Sequence, residues 1–120
     1  MTDVKEDLKI QSLFKGLIDS EIEKLISSIS QIRLPKDEHV FKNGDECKGI
    51  YMIKSGKIEI TKMTPDGWYQ PLAVLEKSDF MGEIALLENT VHSSNARTIE
   101  PSELFLIPKD FINEMETREP

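Results

Sequence analysis

The residues from Phe80 to Thr98 combine the side-chain and backbone types that could hold an anionic group. Gly82 has no Cβ, so its backbone can approach a ligand closely. The segment Glu83–Leu87 can form one short helical turn, whose first N–H groups lack intrahelical partners and can donate to a phosphate. The carboxylate of Glu83 can accept from a sugar hydroxyl, and Ser93 and Ser94 add hydroxyl donors. A surface turn that leads into a strand would have the same spacing, so spacing alone leaves both interpretations open.

The sequence Gly82-Glu83-Ile84-Ala85-Leu86-Leu87 resembles the phosphate-binding cassette of cyclic-nucleotide-binding domains. These domains occur in catabolite-activator-type bacterial regulators, regulatory subunits of cAMP-dependent kinase and cyclic-nucleotide-gated channels. Further motifs resemble the family in the same order, namely Leu13–Leu17, Phe41–Asp45 and Ile50–Ile58. The resemblance covers residues 12–115, nearly the whole chain.

The resemblance implies a ligand-binding role for seven residues. Glu83 would bond the ribose 2′-hydroxyl, and the backbone of Gly82, Glu83, Ile84 and Ala85 would face the cyclic phosphate. Ser93 would match the small hydroxyl residue beside the phosphate, with Ser94 next to it. His92 stands at the position of the phosphate clamp.

His92 is the main departure from the family, because the cyclic-nucleotide binders carry an arginine at that position. Guanidinium is always charged and binds phosphate with two parallel hydrogen bonds, whereas imidazole is mostly neutral at pH 7. A hydrogen bond to a charged group contributes about 1.5–3 kcal/mol, so its loss predicts about ten- to a hundredfold weaker binding. Arg97 lies five residues further on, and an odd separation places the two side chains on opposite faces of a strand. Ser78 is a second departure, because the family usually has glycine before the Asp79-Phe80 pair.

The composition excludes several classes of protein. The 120 residues suffice for one domain with a buried core. Cys47 is the only cysteine, which excludes an intrachain disulfide and fits a reducing, cytoplasmic location. The first residues are acidic where a secretory signal would be basic, and no window approaches the roughly 20 apolar residues of a membrane helix. The net charge of −7 argues against nucleic acid or a membrane surface as a partner.

The periodicity predicts an α+β chain that is mainly β. Ser20 and Glu23 have the spacing of a capping box, and the helix behind them carries apolar residues at one face. From residue 31 the period changes to two, and short apolar runs separated by turn residues predict about eight strands. Together with the resemblance this predicts an eight-stranded jelly-roll barrel, a double-stranded β-helix, with N-terminal helices, a short cassette helix and a short C-terminal helix. The expected divisions of this single domain, 1–120, are a helical segment at 1–30, a β-roll at 31–107 with the cassette at 80–98, and a helix with its tail at 108–120.

The C-terminal segment is expected to form a lid of about two turns at most, which Pro108 could start. In the family a longer helix here covers the base. The output is therefore expected to come from a protein partner, from oligomerisation or from a longer natural protein.

These observations favour a non-catalytic regulatory module with weak or altered cAMP or cGMP binding and no other cofactor. Its ligand could also be another small anion, and His92 could make binding weakly dependent on pH. The alternative is a degenerate domain that binds no nucleotide and acts as a protein-interaction module. An enzyme on a similar barrel, such as a metal-dependent cupin, would need clustered imidazoles, whereas His39 and His92 are far apart in sequence. The sequence predicts Cys47 to be an incidental thiol and Trp68 and Tyr69 to pack on the sheet.

Overall fold

The structure is a computed structural model that describes residues 19–118. Within this range eight antiparallel strands are accompanied by three helices. In chain order they are α1 (Asp19–Ser28), β1 (Ser30–Leu34), β2 (His39–Phe41), β3 (Gly49–Ser55), β4 (Ile58–Met63), β5 (Tyr69–Leu75), β6 (Phe80–Met81), α2 (Glu83–Leu87), β7 (Asn95–Thr98), β8 (Ser102–Pro108) and α3 (Lys109–Arg118).

The strands form two four-stranded sheets that face each other. The first sheet has the order β1-β8-β3-β6 and the second has the order β2-β7-β4-β5. This confirms the eight strands and the jelly-roll-like arrangement, here as a sandwich of two sheets. The more specific prediction of a barrel of the double-stranded β-helix type stays a prediction. Strand β6 has only two residues and pairs with Tyr51 and Met52 of β3. The alternation in the sequence did not single it out, because two residues are too few to show a period.

The space between the sheets holds one of two apolar clusters. Burial alternates along β1, where the partly buried Ile32 and Leu34 are separated by the exposed Arg33, as the pleat requires. Strand β3 departs from this pattern because Ile50 to Ile53 are all buried, which means that both of its faces are covered. The inter-sheet cluster consists of Phe41, Tyr51, Ile53, Ile58, Met81, Ala96 and Leu104.

The second cluster packs α1 and α3 against the outer face of the first sheet. Leu25 and Phe111 supply the helical contacts, and Met52, Phe105 and Ile107 supply the sheet contacts. The predicted apolar face of α1 is confirmed. The capping box is wrong in register, because α1 already includes Asp19 and Ser20 lies inside its first turn.

The connection between β4 and β5 is a tight turn, and β5 is an edge strand. Gly67 N–H donates to the Thr64 carbonyl at 2.9 Å and closes the turn. Pro71 lies in an edge strand, next to an irregularity in the β4–β5 register, because it cannot donate to a ladder. Trp68 and Tyr69 do not pack on the sheet as predicted, since 73% and 60% of their surfaces are exposed.

The C-terminal helix is longer than predicted. It has ten residues, nearly three turns, and starts at Lys109, while Pro108 is the last residue of β8. The predictions for residues 1–18 and for the tail at 119–120 lie outside the described residues. Among the residues that are described, no helix is long and apolar enough to span a bilayer.

Candidate functional site

All seven residues predicted for the site line one cavity of about 200 Å³ between the second sheet and α2. The fold therefore brings the predicted residues together in one place. Sequence reasoning missed most of the apolar wall, although inward alternation in β2 and β4 was a usable signal for part of it. The predicted residues are Gly82, Glu83, Ile84, Ala85, His92, Ser93 and Ser94, and the additional ones are Phe41, Ile60, Leu75, Phe80 and Met81.

Gly82 starts the cassette turn in a conformation that side chains rarely adopt, with φ at +88°. A Cβ at this position would lie 3.2 Å from the Gly49 carbonyl oxygen and 3.3 Å from Cε1 of His92. The close approach predicted for a ligand is thus made by the protein itself. Gly82 lets the imidazole ring of His92 lie directly against the backbone.

Helix α2 is a single turn that separates an inner from an outer surface. Leu86 N–H donates to the Gly82 carbonyl at 3.3 Å, and Glu88 N–H donates to the Ile84 carbonyl at 2.9 Å. Ala85 is buried, whereas 60% of the surface of Ile84 is exposed. The first N–H groups of such a turn remain available as donors near the cavity.

Glu83 contributes a buried polar atom without a partner to the cavity. Its Oε2 atom is buried and accepts no hydrogen bond from the described residues. Leaving a buried acceptor unsatisfied costs about 1–3 kcal/mol, so such an atom is a candidate for bonding to a ligand. A ligand hydroxyl or N–H group would supply the missing donor.

His92 lies in the cavity wall with only 3% of its surface exposed. Its ring stacks on Phe41 with the centroids 3.7 Å apart and an angle of 7° between the planes. Its backbone is fixed as well, because its N–H donates to the Asp45 carbonyl and its carbonyl accepts from Gly44 N–H. Burial lowers the pKa of His92, and the carboxylate of Asp45 opposes part of that effect. The imidazole is therefore neutral at pH 7.

Arg97 lies on the opposite face of the second sheet from the cavity. Its guanidinium pairs with Asp37 at 2.6 Å and with Glu59 at 3.3 Å. Arg97 and His92 therefore lie on different sides, as predicted, but the ground of the prediction was wrong, because His92 lies in the loop before β7 and not in a regular strand with Arg97. The register irregularity between β2 and β7 comes from an extra residue in β2, Val40, so it does not turn Arg97 inward.

The structure explains the backbone conformation of Ser78, the burial of Cys47 and the protonation state of Tyr51. Ser78 adopts a φ of +73°, which explains why glycine would suit this position. Cys47 is buried, and its thiol donates to the Gly49 carbonyl at 3.6 Å. Burial raises the pKa of Tyr51, whose ring lies tilted against Phe41, so its hydroxyl stays protonated.

A second cavity of about 280 Å³ lies between α2 and α3. Leu86 lines it from α2, Asn89 from the loop that follows, and Lys109 and Asn113 from α3. Ala85 lines both cavities. A single residue of α2 thus separates the candidate ligand site from the space beside the C-terminal helix.

Comparisons with known proteins agree with this geometry. The family model described as "Cyclic nucleotide-binding domain" matches residues 31–118. The chain is 33% identical over 105 residues to the anaerobic regulatory protein of Bacillus subtilis, covering 86% of this chain and 44% of that protein. It is 28% identical over 106 residues to the cyclic AMP receptor protein of Thermus thermophilus, covering 88% and 49%.

A solved structure shows the same fold at lower identity. The regulatory domain of Toxoplasma gondii PKA with cAMP superposes with a TM-score of 0.89 at 21% identity, covering 94% of this chain and 43% of that chain. The present chain spans less than half the length of each of these three proteins.

Proposed function

Because the chain belongs to the cyclic nucleotide-binding domain family, we propose that it is a non-catalytic regulatory module whose cavity binds cAMP or cGMP weakly. The observation that carries the proposal is the buried, unpartnered Oε2 of Glu83 in the cavity. In the family the matching glutamate bonds the ribose 2′-hydroxyl. That hydroxyl would supply the donor that Glu83 lacks.

The groups of the cavity that could contact the phosphate support weak rather than tight binding of a cyclic nucleotide. Backbone N–H groups of the cassette turn and the hydroxyls of Ser93 and Ser94 can donate to a phosphate. His92 is stacked on Phe41 and neutral, so it supplies no positive charge. Arg97 is engaged on the far face of the sheet.

The cavity size points to partial enclosure of a nucleotide. Its volume of about 200 Å³ is below the roughly 300–1,000 Å³ of pockets that bury most of a drug-sized ligand. The sugar would lie inside beside Glu83, and part of the ligand would remain outside or displace the walls.

We propose that ligand binding in the cavity changes the position of α3 through the wall at Ala85. Phe111 anchors α3 to the first sheet, and Lys109 N–H donates to the Lys48 carbonyl at 3.0 Å. A ligand that tightens the α2 turn would shift the wall shared with the second cavity and so favour one position of α3. Such a switch operates only to the extent that the ligand binds the two positions with different affinity. The output would then come from a partner protein, a further segment or oligomerisation.

The test is a calorimetric titration with cAMP and cGMP of the native chain and of His92→Arg. The added guanidinium should tighten binding about ten- to a hundredfold. The matched control is His39→Arg, which adds the same charge at an exposed position on the outer face of β2 and should leave the affinity unchanged. Absence of binding by both the native chain and His92→Arg would contradict the proposal.

An exposed apolar surface favours a second candidate function, a protein-interaction module that binds no nucleotide. Ile84 and Leu87 lie three residues apart on α2 with 60% and 64% of their surfaces exposed. Val91, in the loop after α2, is 45% exposed. Under this alternative, cAMP at about millimolar concentration would leave the melting temperature unchanged, because a ligand stabilises only a fold that binds it.

A further inference from the structure

The wall of the cavity is mostly hydrocarbon. Phe41, Ile60 and Leu75 line it from the second sheet, and Phe80 and Met81 close it from β6. Ile60, Leu75 and Phe80 keep part of their surface exposed. An apolar part of a ligand would remove this surface from water, which is favourable irrespective of any charge.

Among the described residues that line this cavity, the one ionised side chain is a carboxylate. Glu83 brings a negative charge, and its buried Oε2 needs a donor. Because the carboxylate is half-buried, the surrounding protein screens its charge less than bulk water would. Glu83 therefore attracts hydroxyl and N–H donors and disfavours an anion beside it.

His92 occupies the place from which a cation would reach a phosphate. Its ring is held between Phe41, at 3.7 Å, and the backbone of Gly82. Turning the ring toward a ligand would break this stack and expose the face of Phe41. The side chain at position 92 therefore completes the apolar wall and does not act as a phosphate clamp.

We infer that the cavity selects an uncharged ligand that joins an apolar ring to a hydroxyl-bearing group. The hydroxyls of Ser93 and Ser94 and the N–H groups of the cassette turn do no more than offset the repulsion of an anion by Glu83, so a phosphate adds nothing to the affinity. This inference rests on the proposed function, because it concerns the same cavity and the same contact of Glu83 with a sugar hydroxyl. A nucleoside has the required chemistry, since it keeps the base and the sugar of the cyclic nucleotide and lacks the charged phosphate.

The experiment is a calorimetric titration of the native chain with adenosine, 2′-deoxyadenosine and cAMP. Adenosine should bind at least as tightly as cAMP, and 2′-deoxyadenosine should bind about tenfold more weakly than adenosine because the hydroxyl donor is missing. The affinity for cAMP should not fall between about 50 and 500 mM salt, because no positive charge holds its phosphate. In Glu83→Gln the preference for adenosine over 2′-deoxyadenosine should shrink, whereas Glu88→Gln, exposed at the end of α2, should retain it.

Two results would overturn the inference. If cAMP binds about tenfold or more tightly than adenosine, the phosphate is recognised, so the inference is wrong while the proposed function stands. If neither compound binds the native chain, the inference is wrong, and the titrations with cGMP and of His92→Arg then decide the proposed function. Binding of adenosine without binding of cAMP would support the inference, and the same two titrations would again decide the proposed function.

Discussion

The two faces of the second sheet differ in how they hold charge. On the outer face, Arg97 is paired with both Asp37 and Glu59. On the inner face, Glu83 lines the cavity with an unpartnered oxygen, and the neutral ring of His92 is stacked on Phe41. The guanidinium of Arg97 is therefore used in ion pairs of the fold, whereas the carboxylate of Glu83 in the cavity has an oxygen without a partner. Unsatisfied groups of this kind are typical of sites that bind ligands at a cost in stability.

Removing an aromatic side chain should give the largest difference between the two faces in the free energy of unfolding. Phe41→Ala should lower the free energy of unfolding by about 3–5 kcal/mol, because it removes a buried ring and the stacking partner of His92. Tyr69→Ala, which removes an exposed ring on the outer face, should change it by less than about 0.5 kcal/mol. Urea unfolding of both variants measures the difference. Equal losses would mean that the cavity wall is not part of the core.

Replacing glutamate by glutamine should change the free energy of unfolding in opposite directions on the two faces. Glu83→Gln removes the charge of a half-buried carboxylate whose Oε2 lacks a partner, and it should raise the free energy of unfolding by about 0.5–1 kcal/mol. Glu59→Gln removes a partner of Arg97 and should lower it by about 0.5–1 kcal/mol. Thermal unfolding at constant pH measures both variants, with the exposed Glu38→Gln as control. A loss of stability in Glu83→Gln would mean that its carboxylate has a stabilising partner.

The pH dependence of the free energy of unfolding should report the burial of His92. Burial lowers the pKa of His92 from its ordinary value of 6.5, so the unfolded chain binds its proton at a higher pH than the folded chain does. The contribution of His92 to stability is therefore complete above the unfolded pKa and falls as the pH drops below it. His92→Gln should reduce this slope between about pH 7.5 and 5, measured as the free energy of unfolding in urea at each pH. An unchanged slope in His92→Gln would contradict the buried, neutral state of His92.

Features that depend on local pattern could be predicted from the sequence. Alternation along a regular strand places Ala96 and Thr98 inward, and this is sufficient to send Arg97 outward. The turn at Thr64–Gly67 and the edge position of Pro71 follow from residue chemistry that acts within a few positions. The seven candidate site residues were predictable because a family motif carries them in one short segment.

Features that depend on distant contacts could not be predicted. The stack of His92 on Phe41 joins residues that are 51 positions apart in the chain, and no local pattern indicates that they meet. Trp68 is exposed because the β4–β5 hairpin extends beyond the sheet packing, although its residue type favours burial. The length of α3 depends on the anchoring of Phe111 to the first sheet, which the sequence of the helix alone does not show.

The most direct test of the account is the affinity for cAMP of Arg97→Gln, compared with the native chain and repeated in the His92→Arg background, where binding is expected to be tighter. Since the guanidinium lies on the outer face, the substitution should change the dissociation constant by less than about twofold in both backgrounds, equivalent to less than about 0.5 kcal/mol. A loss of about tenfold or more would show that Arg97 reaches the phosphate. The placement of the Arg97 guanidinium on the outer face, away from the cavity that contains Glu83, would then be wrong.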